Sequence, residues 1–401
     1  MAVTADRITR EFSPNSPSTP NHRELVIDST RKAEYWLAKQ LDQAGITLNG
    51  SSPWDPQIHN RQVFHRVLSE GSIGIGESYM DGWWDCEQVD ELMTRAMTAQ
   101  LDETLTGRWT FIKHWLAARL MNRQSIKRAF QVGEQHYDAG NDLYTAMLDP
   151  TMAYSCGYWQ EANSLHEAQL AKLNLVCQKL QLKQDDSVLE IGCGWGSFAE
   201  LAATRYGAKI TGLTISKEQK RLADERCNHL PVDILLQDYR HHDGLYDKLV
   251  SIGMFEHVGQ KNYDTYMRSA HRLMKDEGIF VLHTIGKDKS DLGTDPWIDK
   301  YIFRNGAIPS LRQISAACEP YFVVEDVHNF GQDYDRTLMA WHDNFERAWP
   351  MLSTAYDNRF YRMWSYYLKC CAGSFRSRSL QLYQVVLRKR LTPMDRYKSP
   401  R

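Results

Sequence analysis

Three glycines at alternate positions, Gly192, Gly194 and Gly196, follow directly on a short apolar run, Val188–Leu189–Glu190–Ile191. Glycine tolerates positive φ and lets a ligand approach the backbone with no Cβ in the way. A strand, a glycine turn and a following helix (Ser197 to Arg205 is helix-compatible) form a cradle for a nucleotide-type cofactor at the carboxyl end of a parallel sheet. The spacing is G-x-G-x-G, not the G-x-G-x-x-G of dinucleotide folds, and an acid, Glu190, stands just before the first glycine. Polar residues end later strand-like runs too. Thr214 falls where dinucleotide folds place an acid for the ribose hydroxyls, and Gln219 beyond it offers amide hydrogen bonds. Thr214 alternatively caps the helix that follows. Gln237–Asp238 puts a carboxylate where an adenine amino group could be met, or forms a plain loop. Glu256, in Gly253–Met254–Phe255–Glu256–His257–Val258–Gly259, stands at a carboxyl edge of the same kind, or is a helix N-terminal charge.

The elements that must hold these residues alternate. Candidate strands are Ser187–Ile191, Lys209–Leu213, Val232–Leu236, Lys248–Ile252 and Gly278–Thr284, with helical stretches such as Ser216–Asn228 and Tyr263–Met274 between most of them. Such alternation implies a mostly parallel sheet with right-handed crossovers. Two late apolar runs, Tyr321–Val327 and Leu382–Leu387, are expected to close the sheet as an antiparallel pair. An aromatic-rich helical insertion, roughly 332–378, separates them. The expected organisation is a disordered N-terminus (1–23), an N-terminal domain (24–105), a basic linker (106–130) and a catalytic domain (131–401). The N-terminal domain opens with a helix-like stretch near Thr30 to Ala44. It has a turn and short strand near Asp55–Asn60, and a turn-rich segment with core aromatics at Gly76–Asp85. From Arg108 to Arg128 six Arg and Lys residues occur with no Asp or Glu, interleaved with Trp109, Phe111 and Trp115. That pattern suits an anionic membrane surface or a solvated helix between domains.

The 401 residues suffice for two or three domains. A net charge of -2 gives no global field for nucleic acid. No apolar run is long enough to span a bilayer, and no secretory signal is visible. Eight scattered cysteines without a C-x-x-C pair suit neither zinc nor a disulfide framework. Free thiols in a reducing cytoplasm are expected.

The glycine loop with its glutamate looks like the cofactor loop of S-adenosylmethionine-dependent methyltransferases. A wider set of motifs resembles the cyclopropane fatty acid synthase family: Glu-Ile-Gly-Cys-Gly-Trp-Gly at 190–196, Leu-Thr-Ile-Ser at 213–216, Met-Phe-Glu-His-Val-Gly at 254–259 and Tyr-Ser-Cys-Gly-Tyr-Trp at 154–159. His136 to Tyr144 and Cys371 to Arg376 match as well, and the resemblance covers most of 60–390. Arg304 departs from it, since the family usually has proline there. Gly76–Asp85 looks like the two-domain bacterial enzymes acting on phospholipids; the related mycolic acid cyclopropane synthases are shorter and lack that domain.

The resemblance implies an α/β, Rossmann-like class I methyltransferase fold with a helical insertion and a smaller N-terminal domain. It implies transfer of the methyl of S-adenosyl-L-methionine to a cis double bond of a phospholipid-bound acyl chain, then ring closure by loss of a proton. The cofactor residues would be Tyr154, Ser155, Glu190, Gly192, Gly194, Gly196, Thr214, Gln219, Gln237 and Asp238. A bound bicarbonate is thought to be the base. Its ligands map onto Cys156, Glu256, His283, Tyr334 and Ile285, the last through its backbone. Cys371 matches the cysteine traditionally marked as catalytic. A thiolate nucleophile is not needed when methyl passes directly to carbon, so Cys371 reads as lining the acyl site. Away from the motifs, Cys156 reads as a small buried apolar residue, His283 as a core histidine and Tyr334 as a core aromatic. The expected partners are an unsaturated phospholipid in a bilayer, a transient contact at the inner face of the membrane and a second copy of the chain, but no nucleic acid.

Overall fold

A computed structural model describes residues 22–101, 140–290, 294–393 and 395–401. The basic linker 106–130 and residues 1–21 of the expected disordered terminus lie outside the described residues. His22 and Arg23, expected to be disordered, instead open helix α1 (His22–Asp42). Pro20 is the last helix breaker before it, so nothing local stops the helix from starting earlier than Thr30.

The N-terminal unit continues with β1 (Gln57–Ile58), α2 (Val63–Glu70), α3 (Ser72–Met80), β2 (Trp84–Asp85) and α4 (Val89–Thr98). Strands β1 and β2 pair antiparallel, with Ile58 opposite Trp84. The segment Gly76–Asp85, expected to be turn-rich, is helical as far as Met80. Glycine costs a helix about 1 kcal/mol against alanine, and here packing requires it. A Cβ on Gly74 would stand 2.3 Å from the Arg66 carbonyl oxygen, and one on Gly76 would stand 2.4 Å from the Trp297 ring.

Helices α5 (Asn141–Met147) and α6 (Leu165–Lys179) lead into the alternating series. It runs β3 (Ser187–Ile191), α7 (Ser197–Tyr206), β4 (Lys209–Thr214), α8 (Lys217–Cys227), β5 (Val232–Leu236), β6 (Tyr246–Ile252), α9 (Tyr263–Leu273) and β7 (Met274–Lys287). Then come α10 (Pro296–Tyr301), α11 (Leu311–Cys318), β8 (Phe322–Asn329), the helical pair α12 (Gln332–Leu352) and α13 (Asn358–Arg376), and β9 (Leu380–Lys389). The seven-stranded sheet has the order β5-β4-β3-β6-β7-β9-β8. The first five strands are parallel; β9 runs antiparallel to both β7 and β8. The chain steps outward from β3 through β4 to β5, then resumes on the other side of β3 at β6. That reversal leaves a crevice at the carboxyl ends of β3 and β6, where ligands bind in such sheets.

Side chains alternate between the faces of a strand, and both faces of this sheet are covered. Leu189, Leu249, Phe280 and Leu387 face α9 and α11, with Tyr266 and Ile314. Val188, Val250, Val281 and Val386 face α6 and α7, with Val176 and Phe198. Burial on both faces is why these strands read as unbroken apolar runs. A third cluster joins the two units: Ala33, Val67, Tyr79 and Trp84 share it with Trp297, Trp341, Tyr366 and Leu368. Side-chain caps set several helix starts. Ser216 accepts from the Gln219 amide, Asp295 from those of Trp297 and Ile298, and Ser310 with Gln313 forms a capping box.

Candidate active site

The glycine loop leaves β3 with positive φ at each of its glycines: +86° at Gly192, +53° at Gly194 and +84° at Gly196. The amides of Gly192 and Cys193 donate to the Leu213 carbonyl at 3.0 and 2.9 Å, tying the loop to β4. A Cβ on Gly192 would stand 2.8 Å from Met254, whereas one on Gly194 would meet nothing within 4 Å. The loop borders a cavity of about 190 Å³. Every expected cofactor residue except Gly196 lines it. Gly196 serves helix packing instead: its Cβ would lie 3.2 Å from that of Ala223 in α8.

Several lining side chains are already engaged. Thr214 Oγ1 donates to Gln219 Oε1 at 2.9 Å and accepts from the Ser216 amide, so the Gln219 amide nitrogen is the end left to face a ligand. Gln237 spends its amide locally, on the His241 carbonyl at 3.1 Å and His242 Nδ1 at 2.9 Å. Asp238 accepts from the Arg240 backbone amide and from its guanidinium Nε and Nη2. A carboxylate has about four acceptor positions, so roughly one remains. Burial alone would push the Asp238 carboxyl up, but Arg240 outweighs it and holds it below the usual range.

The sequence reading missed Lys172, on α6, which also lines the cavity. It is 1% exposed, and its Nζ donates to Ser155 Oγ at 2.8 Å. Burial pushes the ammonium down to about 8, opposed first by the charge of Asp149, so it is still a cation at neutral pH. Burial likewise drives the Glu190 carboxyl well up, opposed by Lys172. Glu190 Oε2 is buried without a hydrogen-bond partner among the described residues. The signal for Lys172 was present: it shares the inward stripe of α6 with Ala168, Gln169, Leu173, Val176 and Lys179. His257, also missed, lines the cavity; burial lowers it to about 4, so it is neutral at pH 7.

None of the second group of expected residues lines that cavity. Glu256 Oε1 accepts from the Ile285 amide at 2.6 Å, and Glu256 Oε2 is a buried orphan among the described residues. Burial raises the Glu256 carboxyl to about 7, opposed by the backbone bond from Ile285. His283 and Ile285 project from one face of β7, paired with Gln384 and Leu382 of β9. Gln384 Nε2 lies 3.1 Å from His283 Nδ1 and donates to it, so the imidazole proton sits on Nε2, a second buried orphan. Burial lowers His283 well below its ordinary value and keeps it neutral. Tyr334, early in α12, stacks on Phe375 at 4.5 Å and meets the Trp341 ring at 6.0 Å. Cys156 is fully buried and donates to the Gly157 carbonyl at 3.1 Å, so its weak donor is already used. Tyr154, Trp341, Phe303 and Tyr367 form a connected aromatic wall, and the Tyr154 and Tyr367 hydroxyls lie 2.8 Å apart.

Residues 124–385 match the family described as mycolic acid cyclopropane synthetase. The chain belongs to that family. It is 54% identical over 353 residues to the cyclopropane-fatty-acyl-phospholipid synthase of Escherichia coli, a match covering 88% of this chain and 92% of that one. It is 33% identical over 391 residues to the tuberculostearic acid methyltransferase of Mycobacterium tuberculosis, covering 89% of each. Among solved structures, the mycolic acid cyclopropane synthase CmaA1 complexed with S-adenosylhomocysteine superposes with a TM-score of 0.61 and 29% identity, covering 65% of this chain and 98% of that one. The fold is the Rossmann-like class I methyltransferase fold, and the cofactor of the family is S-adenosylmethionine.

In this family member Cys371 lies in α13, one turn after Tyr367, and does not line the cofactor cavity. Burial, with Asp295 adding to it, pushes its thiol up to about 12. A thiol held protonated at neutral pH is a poor nucleophile. Cys371→Ala is therefore expected to keep turnover within about threefold of wild type, a packing-sized effect; a loss of two orders of magnitude in the methyl-transfer assay would assign it a chemical role.

Proposed function

We propose that the chain transfers the methyl of S-adenosylmethionine to a cis double bond in an acyl chain of a phospholipid and closes a cyclopropane ring, with bound bicarbonate as the base. The observation that carries this reading is the 54% identity to the Escherichia coli enzyme, over 88% of this chain, a match too long to be confined to residues 124–385. The site supports it in physical terms. S-adenosylmethionine supplies an electrophilic methyl, and bicarbonate a base that a simple heteroatom methylation does not need. The cradle around Gly192 and Gly194, the Glu190 carboxyl and the Gln219 amide suit the first of these. The two buried orphans suit the second: the His283 Nε2 proton donates to an oxygen and Glu256 Oε2 accepts from a hydroxyl, and bicarbonate presents both. Tyr334 adds a hydroxyl and Ile285 a backbone amide. Cys156, its donor already used, contributes a dry wall.

A carboxylate beside an anion ordinarily repels it. Two features offset this: bicarbonate turns its hydroxyl, a donor, toward Glu256, and the positive field of Lys172 reaches both Cys156 and His283. An isolated alkene is a weak nucleophile, so the residues must hold methyl and alkene in line at near-attack distance. The faces of Tyr154, Tyr367, Phe303 and Trp341 can stabilise the developing carbocation and keep water from it.

Because the substrate lies in a bilayer, and no described helix is long and apolar enough to cross one, this reading includes reversible contact at the inner face of the membrane. Pairing into a homodimer and the division into an N-terminal domain (24–105), a linker and a catalytic domain (131–401) belong to it as well. A second reading, a branched methyl lipid product, is favoured by the identity to the tuberculostearic acid methyltransferase. Vesicles of an unsaturated phospholipid with S-adenosylmethionine decide between them. Methylene-bridged chains, each heavier by one CH2, are expected. Methyl-branched unsaturated chains alone, which have the same mass and are told apart by NMR, would establish the second reading, and no lipid product from cofactor-competent protein would sink both.

A further inference from the structure

We propose that Glu77, in the Gly76–Asp85 motif of the N-terminal unit, is a positioning residue that holds the wall segment Asp295–Ala307 of the catalytic site shut against water. The inference rests on the ring-closing reading above. Glu77 is 9% exposed, and its carboxylate gathers donors from both units. Arg66 of α2 binds Oε2, while Lys300 and Tyr301, both at the end of α10, bind Oε1, the tyrosine at 2.9 Å. Burial alone would push this carboxyl up; the bonds from Lys300 and Tyr301 and the charges of Lys300 and Arg66 outweigh it, so it stays ionised. One turn earlier in α10, Trp297 lies against the bare backbone of Gly76, and its ring meets Tyr366 of α13 edge-on at 4.9 Å. The N-terminal unit therefore grips both ends of this short helix.

What the helix carries is the wall. The Phe303 amide donates to the Ile298 carbonyl at 2.8 Å, so the turn after α10 is built on the helix itself. Phe303 faces Tyr154 at 6.3 Å, His257 at 5.9 Å and Tyr367 at 5.9 Å. Four residues on, the Ala307 amide donates to the Glu256 carbonyl at 2.8 Å. At the other end Asp295 caps the helix, and its charge is felt at Cys371. A proline at the position of Arg304 would fix φ there; with arginine, the turn depends on its contacts, among them the Asn305 amide to Asp299 Oδ1 at 2.7 Å, and on the Glu77 cluster that anchors α10.

The carbocation formed after methyl transfer has two fates. It can lose a proton from the new methyl and close the ring, or take a water molecule, lose a proton and become a methyl-branched alcohol. A wall displaced by about 1 Å costs on the order of 10²-fold in a positioned reaction and admits water. Glu77→Gln keeps the shape and removes the charge. Lys300→Met, at a side chain about half exposed, removes one donor and leaves the fold least disturbed. Both are assayed on unsaturated phosphatidylglycerol vesicles with S-adenosylmethionine, and the cofactor affinity is measured by calorimetry. Each variant should form cyclopropane roughly tenfold to a hundredfold more slowly, bind S-adenosylhomocysteine as wild type does, and raise the ratio of branched alcohol to cyclopropane several-fold. Lys300→Arg should restore the ratio. An unchanged ratio in both folded variants, or a loss of cofactor affinity in step with the rate, overturns the proposal. If wild-type protein makes no cyclopropane, it is the ring-closing reading that fails.

Discussion

Glu256→Gln is expected to lower cyclopropane formation by about 10²- to 10⁴-fold, the range for losing a positioned acid–base group. Affinity for S-adenosylmethionine should stay within about twofold, an effect well under 1 kcal/mol. The two effects separate because Glu256 does not line the cofactor cavity, although its neighbour His257 does. Its pH signature follows from burial, which places the carboxyl near 7. Below that pH Glu256 is protonated, and it offers a proton where the base needs an acceptor. Above it the carboxylate accepts, so the wild-type rate should climb as pH rises through about 7. Glutamine cannot titrate, so that limb should vanish from the variant's residual rate. A fall in cofactor affinity parallel to the fall in rate would place Glu256 in the methyl-donor site. A wild-type profile flat across neutrality would remove its role beside the base.

Gly192→Ala should abolish useful cofactor binding. At φ +86° a side chain is strained, and its Cβ would stand 2.8 Å from Met254, itself a lining residue. Left-handed strain of about 1–2 kcal/mol adds to overpacking of about 1–3 kcal/mol. If much of this falls on the bound state, affinity drops by roughly 10²-fold or more. Gly207→Ala is the control. That glycine also has a positive φ, at the C-cap of α7, and its Cβ would meet Gln184 at 3.2 Å, away from the cavity. It should lower Tm without touching affinity. Titration with S-adenosylhomocysteine and thermal melts separate the two; equal losses of affinity in both would mean that Gly192 matters to the fold rather than to the ligand.

The sheet was legible because its signals are local. Each parallel strand is an apolar run bounded by a turn and a helix, and the structure moves their ends by a few residues only, the exception being β7, extended at both ends. The cofactor loop was legible for the same reason. What escaped the sequence depended on distant partners. Gly76 is a helical glycine because Trp297, far along the chain, fills the space a side chain would take. Gly196 resembled its neighbours in the motif, but Ala223 of the next helix explains it. Gln237 and Asp238 were read from position alone, and their partners His242 and Arg240 use most of what they offer. Lys172 was overlooked because a lysine in a helix is usually solvated. Cys156, His283 and Tyr334 carried no signal of their own. Each is buried, as a bland core residue would be, and only the surrounding motifs lifted them from that background.

Strand β9 lies between β7 and β8, although it follows both in sequence and is the last of the described strands. Synthesis therefore reaches residue 380 with an open edge on β7, and such an edge invites pairing with other chains. The same late strand brings Gln384, the partner of His283. A ribosome that stalls between β7 and β9 releases a chain with a finished glycine loop and an unsupported imidazole. Quality control of this enzyme is thus written into its topology: the chain cannot orient its buried histidine until β9 has been made.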